Sequence, residues 1–331
     1  MKYLYIIGIM VFIIACTKDQ VPEPLYPLDV PIGFPQPETP VDNELTIARV
    51  ELGKRLFFDP ILSRDSTISC GTCHLPEKIF TDGEKVSIGI ENRKGFRNAP
   101  TLANVAYQTS LLMEGGVPSL EVQVIAPIED VNEMDFDALQ VVKRLKRHPI
   151  YIELAQRAYD REPDLFVLTR SIAAYERTLL SGNSKYDQHQ YQGKPNILTT
   201  AEKRGLDLFF SDKTQCSTCH EGHNFTDGDF YNIGLYTNYE DAGKARATAL
   251  GSDIGRFKTP TLRNVALTAP YMHDGSLNSL EEVVEHFNAG GQVHPNKNGL
   301  IKPLNLTDQD KADLVSFLKT LTDSSFMQKH Q

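Results

Sequence analysis

Four cysteines fall in two copies of one short pattern, Cys70-Gly71-Thr72-Cys73-His74 and Cys216-Ser217-Thr218-Cys219-His220. Two thiols separated by two residues, with a histidine straight after the second, form the attachment signature of c-type haem. Both sulfurs must reach the two vinyl groups of one porphyrin, and the histidine then swings beneath the ring as iron ligand. A four-thiolate zinc site, a redox dithiol or structural disulfides would use the cysteines, but none of them needs His74 and His220. Two covalently bound haems c are therefore expected, held by Cys70, Cys73 and His74 and by Cys216, Cys219 and His220.

The surroundings of the motifs repeat too. Leu52-Gly53-Lys54-Arg55-Leu56-Phe57-Phe58 precedes the first and Arg204-Gly205-Leu206-Asp207-Leu208-Phe209-Phe210 the second. Phe80-Thr81-Asp82-Gly83 answers Phe225-Thr226-Asp227-Gly228, and Ala99-Pro100-Thr101-Leu102-Ala103-Asn104-Val105-Ala106 answers Thr259-Pro260-Thr261-Leu262-Arg263-Asn264-Val265-Ala266. Glu114-Gly115 with Ser119-Leu120-Glu121 answers Asp274-Gly275 with Ser279-Leu280-Glu281. Matched blocks in one order mean a duplicated domain with one haem per copy.

Apolar residues at Leu45, Ala48, Val50, Leu52, Leu56 and Phe57 give Glu44 to Phe58 an amphipathic helical pattern, and Thr199 to Phe210 repeats it. Asp137 to Arg147, Leu165 to Leu180, Ser279 to Phe287 and Thr307 to Leu321 are further helices by pattern. Thr307 is placed as N-cap, with Asp308 and Asp310 in the first turn, where the helix dipole favours acid. Alternating strand runs are few. The expected fold is all-α, with two tandem cytochrome c-like haem domains related by internal duplication.

The N-terminus points to export. Met1-Lys2 precedes an apolar run from Tyr3 to Ala15, shorter than the ~20 residues a membrane-spanning helix needs, so it reads as a secretory signal. Its end, Ile13-Ile14-Ala15-Cys16, has the form of a lipoprotein cleavage site with Cys16 acylated. An ordinary signal peptide with an incidental cysteine is the alternative. Residues 1–16 are then the signal with lipidated Cys16, and 17–40, carrying Pro22, Pro24, Pro27, Pro31, Pro35, Pro37 and Pro40, a proline-rich tether. The net charge of −9 argues against nucleic acid as a partner.

A duplicated haem domain with these linking blocks resembles the bacterial dihaem cytochrome c peroxidase and MauG family. The likeness rests on Arg97 to Leu102, Leu120 to Met134 and Leu262 to Gly275, and covers nearly all of residues 45–321. It implies a peroxidatic haem domain over 41–190 and an electron-transfer haem domain over 191–331. Hydrogen peroxide is split at the first haem, and electrons enter at the second from a small cytochrome c or cupredoxin. The resemblance places Gln123 and Glu133 at the family's distal glutamine and glutamate: the carboxylate moves a proton between the peroxide oxygens and the amide holds the peroxide. It also implies a calcium ion between the domains, held by Asn98, Thr268 and Pro270, a periplasmic location, and dimers as in many members.

Three departures from the family pattern matter. Ile90 occupies the position of a histidine that caps the first iron in many members, so an open sixth position is expected. Met113 stands where an inter-haem tryptophan is usual, and the chain has no tryptophan. Phe287 stands where methionine or tyrosine ligates the second iron. Met272, Tyr271 and His286 lie close by, and Met272 is favoured because a thioether raises haem potential. The leading reading is a peroxidase; a MauG-like oxidase of a protein or organic substrate, and a non-catalytic dihaem carrier, are the alternatives.

Overall fold

The structure is a computed structural model that describes residues 23–330; Cys16 and the apolar run before it lie outside the described residues. Each half is built on a crossing of two helices. In the first, Ile47–Phe58, capped by Thr46, crosses Leu165–Glu176, capped by Asp164. In the second, Thr200–Phe209, capped by Thr199, crosses Asp308–Lys319. Thr307 caps the last of these with the expected bond from Asp310 N (3.1 Å). The crossing point is a glycine in both copies. A Cβ on Gly53 would lie 1.8 Å from Ser171 O, and one on Gly205 1.9 Å from Asp313 O. Short helices and turns connect the crossings, and the only paired strands among the described residues are Phe230–Tyr231 with Phe257–Lys258, antiparallel. The mainly helical, duplicated architecture is as expected.

The halves meet about an approximate two-fold axis whose bonds come in pairs. Asn104 and Asn264 both adopt left-handed backbone (φ 61° and 60°), a conformation asparagine tolerates better than most residues. Their N–H groups bind Leu179 O (2.7 Å) and Leu321 O (3.0 Å). Asn104 Nδ2 donates to Ser181 O (2.8 Å), and Asn264 Nδ2 to Ser181 Oγ (2.9 Å). Two backbone bonds then cross between the halves reciprocally, Asn98 N to His273 O and Lys258 N to Met113 O, both 2.9 Å.

Three sequence expectations need correction. Residues 23–40 are not a free tether but a strap packed on the body. Tyr26 N binds Leu45 O (2.8 Å) and Ile47 N binds Pro24 O (2.9 Å). Pro31 packs on Gly182, and Phe34 lies between Tyr107, Tyr191 and His223. Tyr186 already belongs to the second core, ahead of the boundary at 191. The final helix, Ser324–His330, returns to the first domain, where Phe326 sits beside Phe80 in the core.

The largest fully buried side chain is Arg263. It donates to both oxygens of buried Asp187 (2.6 Å each) and to His223 O (2.8 Å), with Phe34 and Phe225 on its faces. Removing one member of a buried pair strands the other charge, at roughly 3–5 kcal/mol. Arg263→Met should lower the unfolding free energy by about that much in denaturant titration of the holoprotein. A loss below about 1 kcal/mol, the range of exposed pairs, would show that the buried pair does not stabilise the fold.

Candidate active site

Both Cys-x-x-Cys-His segments open into one continuous, mostly apolar cavity running through the two halves. His74 Nδ1 lies 2.8 Å from Phe80 O, and His220 Nδ1 lies 3.0 Å from Phe225 O. A carbonyl only accepts, so Nδ1 carries the hydrogen and Nε2 keeps its lone pair, the arrangement an iron-ligating histidine requires. Burial lowers both imidazole pKa values, which keeps the rings neutral. Burial pushes the thiols of Cys73 and Cys219 up to about 11. All four cysteines are free of disulfides. The donor set and the flat apolar space between the helices fit two covalently attached porphyrins.

At some equivalent positions the first half brings a polar group to the cavity where the second brings an apolar one. Gln123 ends the helix Leu120–Gln123, whose N-cap Ser119 accepts from Val122 N (3.4 Å). Glu133 comes from the following loop, which is tightly pinned. Ile90 N donates to Glu133 O (2.9 Å), Glu133 N to Asp130 O (3.1 Å) and Arg64 N to Met134 O (3.0 Å). Arg93 ties Val131 O (2.6 Å) and Asp135 (2.8 Å). Gly89 permits this approach, since a Cβ there would lie 2.0 Å from Asn132 O. Both Gln123 and Glu133 line the cavity. Glu133 is an exposed residue that also lines the cavity. Desolvation, aided by the charge of Asp130, pushes its carboxyl up to about 7. In the duplicated register, Val283, Val284 and Phe287 replace Gln123, Val124 and Pro127, and all three line the second pocket.

The remaining expected residues distribute as follows. Ile90 is fully buried and braces Glu133 through its backbone. Met272 lines the cavity with φ 74°, on the loop that answers Leu112 (φ 64°). Tyr271 OH is committed to Val265 O (2.9 Å), and His286 Nε2 lies 3.1 Å from Ile233 O. Asn98, Thr268 and Pro270 all line the central cavity. Asn98 Nδ2 donates to Glu84 O (2.8 Å), which leaves its amide oxygen as the available ligand atom. Met113 faces His273 across the domain junction, and the His273 ring stacks on Phe257 at 3.9 Å.

Two further residues were not anticipated. Glu176 lines the first pocket, is buried, and has an Oε2 without a partner. Its counterpart in the second half is Leu318. Burial raises its carboxyl to about 8, with Arg177 opposing and Glu121 reinforcing the shift. Lys258 also lines the cavity, and burial lowers its ammonium to about 8. Comparison of the two copies position by position is a signal for Glu176, which answers a leucine, but not for Lys258, which answers the polar Asn98.

Fold and site together define a two-haem c-type cytochrome built for redox chemistry. Residues 47–196 match the family model for di-haem cytochrome c peroxidase, and 203–322 that for cytochrome c. The methylamine utilization protein MauG of Methylorubrum extorquens is 37% identical over 294 residues, 87% of this chain and 83% of the relative. Cytochrome-c peroxidase IdrP1 of Pseudomonas sp. (strain SCT) is 34% identical over 345 residues, 95% of this chain and 89% of the relative. The crystal structure of a MauG-like protein associated with microbial copper homeostasis superposes with a TM-score of 0.86 at 36% identity, covering 91% of this chain and 97% of that one. The chain belongs to the di-haem cytochrome c peroxidase/MauG family. It is an oxidoreductase whose two cytochrome c-type domains carry covalently bound haem c.

Glu176 generates a pH test. Its pKa is raised from 4.5 to about 8 in the fold, so the protonated form is favoured by folding. That contribution is complete below the unfolded value and declines as pH rises toward the folded one. The melting temperature of the wild-type holoprotein should therefore fall between about pH 5 and pH 8, and Glu176→Gln should flatten that fall. Parallel curves for the two proteins would rule out a buried neutral carboxyl.

Proposed function

We propose that this chain reduces hydrogen peroxide to water at its first haem, with electrons entering through the second domain from a small cytochrome c or cupredoxin. The observation that carries the reading is the asymmetry of the duplicated pockets. Gln123, Glu133 and Glu176 line the cavity in the first half, and the second half has Val283 and Leu318 where the first has Gln123 and Glu176. A haem held by Cys70, Cys73 and His74 would supply the redox centre for O–O cleavage. The chain supplies the rest of the balance, one peroxide with two electrons and two protons giving two waters. Glu133, as carboxylate, takes the proton from the inner peroxide oxygen and returns it to the outer one. Gln123 holds the peroxide by its amide. Ile90 would offer the first haem no side-chain ligand, and Met272 would be the residue that holds the second, Tyr271 and His286 being already engaged.

The same proposal includes calcium on Asn98, Thr268 and Pro270, whose oxygens are the donors this ion prefers, and a periplasmic chain anchored through acylated Cys16. The absence of tryptophan speaks against MauG-like oxidation of a protein substrate, which draws on a delocalised oxidised state between the haems.

Two measurements test the reading. Glu133→Gln should lower kcat/KM for peroxide by roughly 10²–10⁴-fold with unchanged haem content. The wild-type value should fall as pH drops through about 7, where Glu133 protonates, and the variant should lose this inflection. Second, the fully oxidised protein should show a high-spin ferric EPR signal that disappears on adding stoichiometric peroxide without reductant. Two low-spin signals inert to peroxide would instead point to an electron carrier or to a capped first iron.

A further inference from the structure

The approximate two-fold axis relates Asn98 to Lys258, Thr268 to Gln108 and Pro270 to Ser110, in the register that also relates Met113 to His273. Asn98, Thr268 and Pro270 are the residues read above as calcium ligands, one from the first half and two from the second. The related trio reverses that sharing, and there the residues are in contact. Lys258 Nζ donates to Gln108 Oε1 (2.6 Å) and to Ser110 O (2.7 Å). Ser110 thus offers the same backbone carbonyl that Pro270 offers in the other pocket. Lys258 lines the cavity, and Glu114 is the anionic group that acts on it. Glu114 is itself held by Arg97, which also pairs with Asp241.

We infer that Lys258 is a built-in cation, its ammonium occupying the pocket that is two-fold related to the calcium site. One side of the domain junction then draws its positive charge from solution and the other carries its own. The geometry supports this beyond a single hydrogen bond. Asn98 N and Lys258 N make the reciprocal crossing bonds to His273 O and Met113 O, so both side chains leave the backbone from equivalent points. At one, an amide donates to Glu84 O (2.8 Å) and presents its oxygen. At the other, an amine fills the space itself. Lysine and a bound metal are alternative ways to place a positive charge among carbonyl oxygens, and duplication followed by one substitution exchanges them. Lys258 is in this sense a positioning residue: it holds the Gln108–Met113 loop against the second half without a metal. The ion it stands in for rests on the calcium reading, whereas its contacts do not.

The test is a reciprocal exchange in the haem-loaded protein, with calcium as the probe. Wild type, Lys258→Asn and Asn98→Lys are stripped with chelator and re-equilibrated with calcium. Bound calcium is then counted by atomic emission, and melting is followed with and without chelator. Lys258→Asn should bind one equivalent more than wild type and melt lower in chelator, recovering with calcium. Asn98→Lys should bind one fewer, with melting no longer sensitive to chelator. If wild type binds none while Lys258→Asn binds one, the calcium reading fails and the lysine inference stands. If Lys258→Asn binds no more than wild type and Asn98→Lys stays chelator-sensitive, the inference is overturned while the calcium reading survives. Should Lys258→Asn not fold, Asn98→Lys decides alone: chelator-insensitive melting at the temperature of calcium-loaded wild type supports the inference, and a calcium requirement overturns it.

Discussion

Each haem-binding histidine is aimed by one hydrogen bond, from Nδ1 to the carbonyl of a phenylalanine downstream, and much of the backbone repeated in the two halves holds that carbonyl in place. Phe80 and Phe225 both sit in left-handed backbone (φ 57° and 52°), an uncommon conformation for a bulky side chain. The turn is fastened from outside. Thr101 Oγ1 donates to Ile79 O and Thr261 Oγ1 to Asn224 O, both 2.6 Å. These threonines belong to the Pro-Thr-Leu segments repeated in both halves, and the same segments carry Asn104 and Asn264, of which Asn264 reaches Ser181 across the junction. A single stretch of chain thus sets the imidazole, the turn that orients it and the contact between domains. A change there would be felt at both haems.

With the backbone shared, the two halves can differ in chemistry only through side chains at equivalent points, and the differences share a direction. Gln123 answers Val283, and Glu176 answers Leu318. The buried pair Arg177–Glu121 (2.6 Å) answers Lys319–Glu281, which is exposed and looser at 3.6 Å. The first half keeps polar and ionisable groups around its pocket, at the desolvation cost that raises Glu133 and Glu176. The second half has apolar Val283 and Leu318 at the points where the first has Gln123 and Glu176. A pocket that must move protons needs groups that titrate near neutrality. A pocket that only passes electrons gains from an apolar wall, which leaves no internal dipole to reorganise when its charge changes.

Much of this was legible in the sequence, because covalent haem attachment is written in a contiguous motif and duplication makes each reading checkable against its twin. The four main helices, the cap at Thr307 and the pocket residues Gln123 and Glu133 all followed from pattern or resemblance. The helix Pro149–Tyr159 did not: it begins with proline at its first position, which helix starts favour, but its apolar spacing is weak. Glu176 was hidden for the opposite reason, lying within a strongly apolar helix where one acid reads as a surface position. Its burial depends on which face of Leu165–Glu176 meets the haem pocket, and only the crossing at Gly53 decides that. Lys258 could not be singled out until the two loops it joins were seen side by side.

The strap was misread because proline-rich composition was equated with solvation. Such a segment cannot build a core of its own, but extended chain has no internal hydrogen bonds to protect and offers flat rings to any groove that fits them. Here the groove is the domain junction. Phe34 reaches Tyr107 of the first half, and His223 and Arg263 of the second, while Tyr107 OH donates to Pro35 O (2.9 Å). The consequence bears on any anchor at Cys16. A free tether through residue 40 would let the body stand off by roughly 80 Å, at about 3.3 Å per extended residue. With the strap packed from residue 23, the span from Cys16 to the body is at most about 25 Å on the same rule. An anchored molecule would then work within a layer no deeper than a small protein is wide, and its electron donor would have to meet it there.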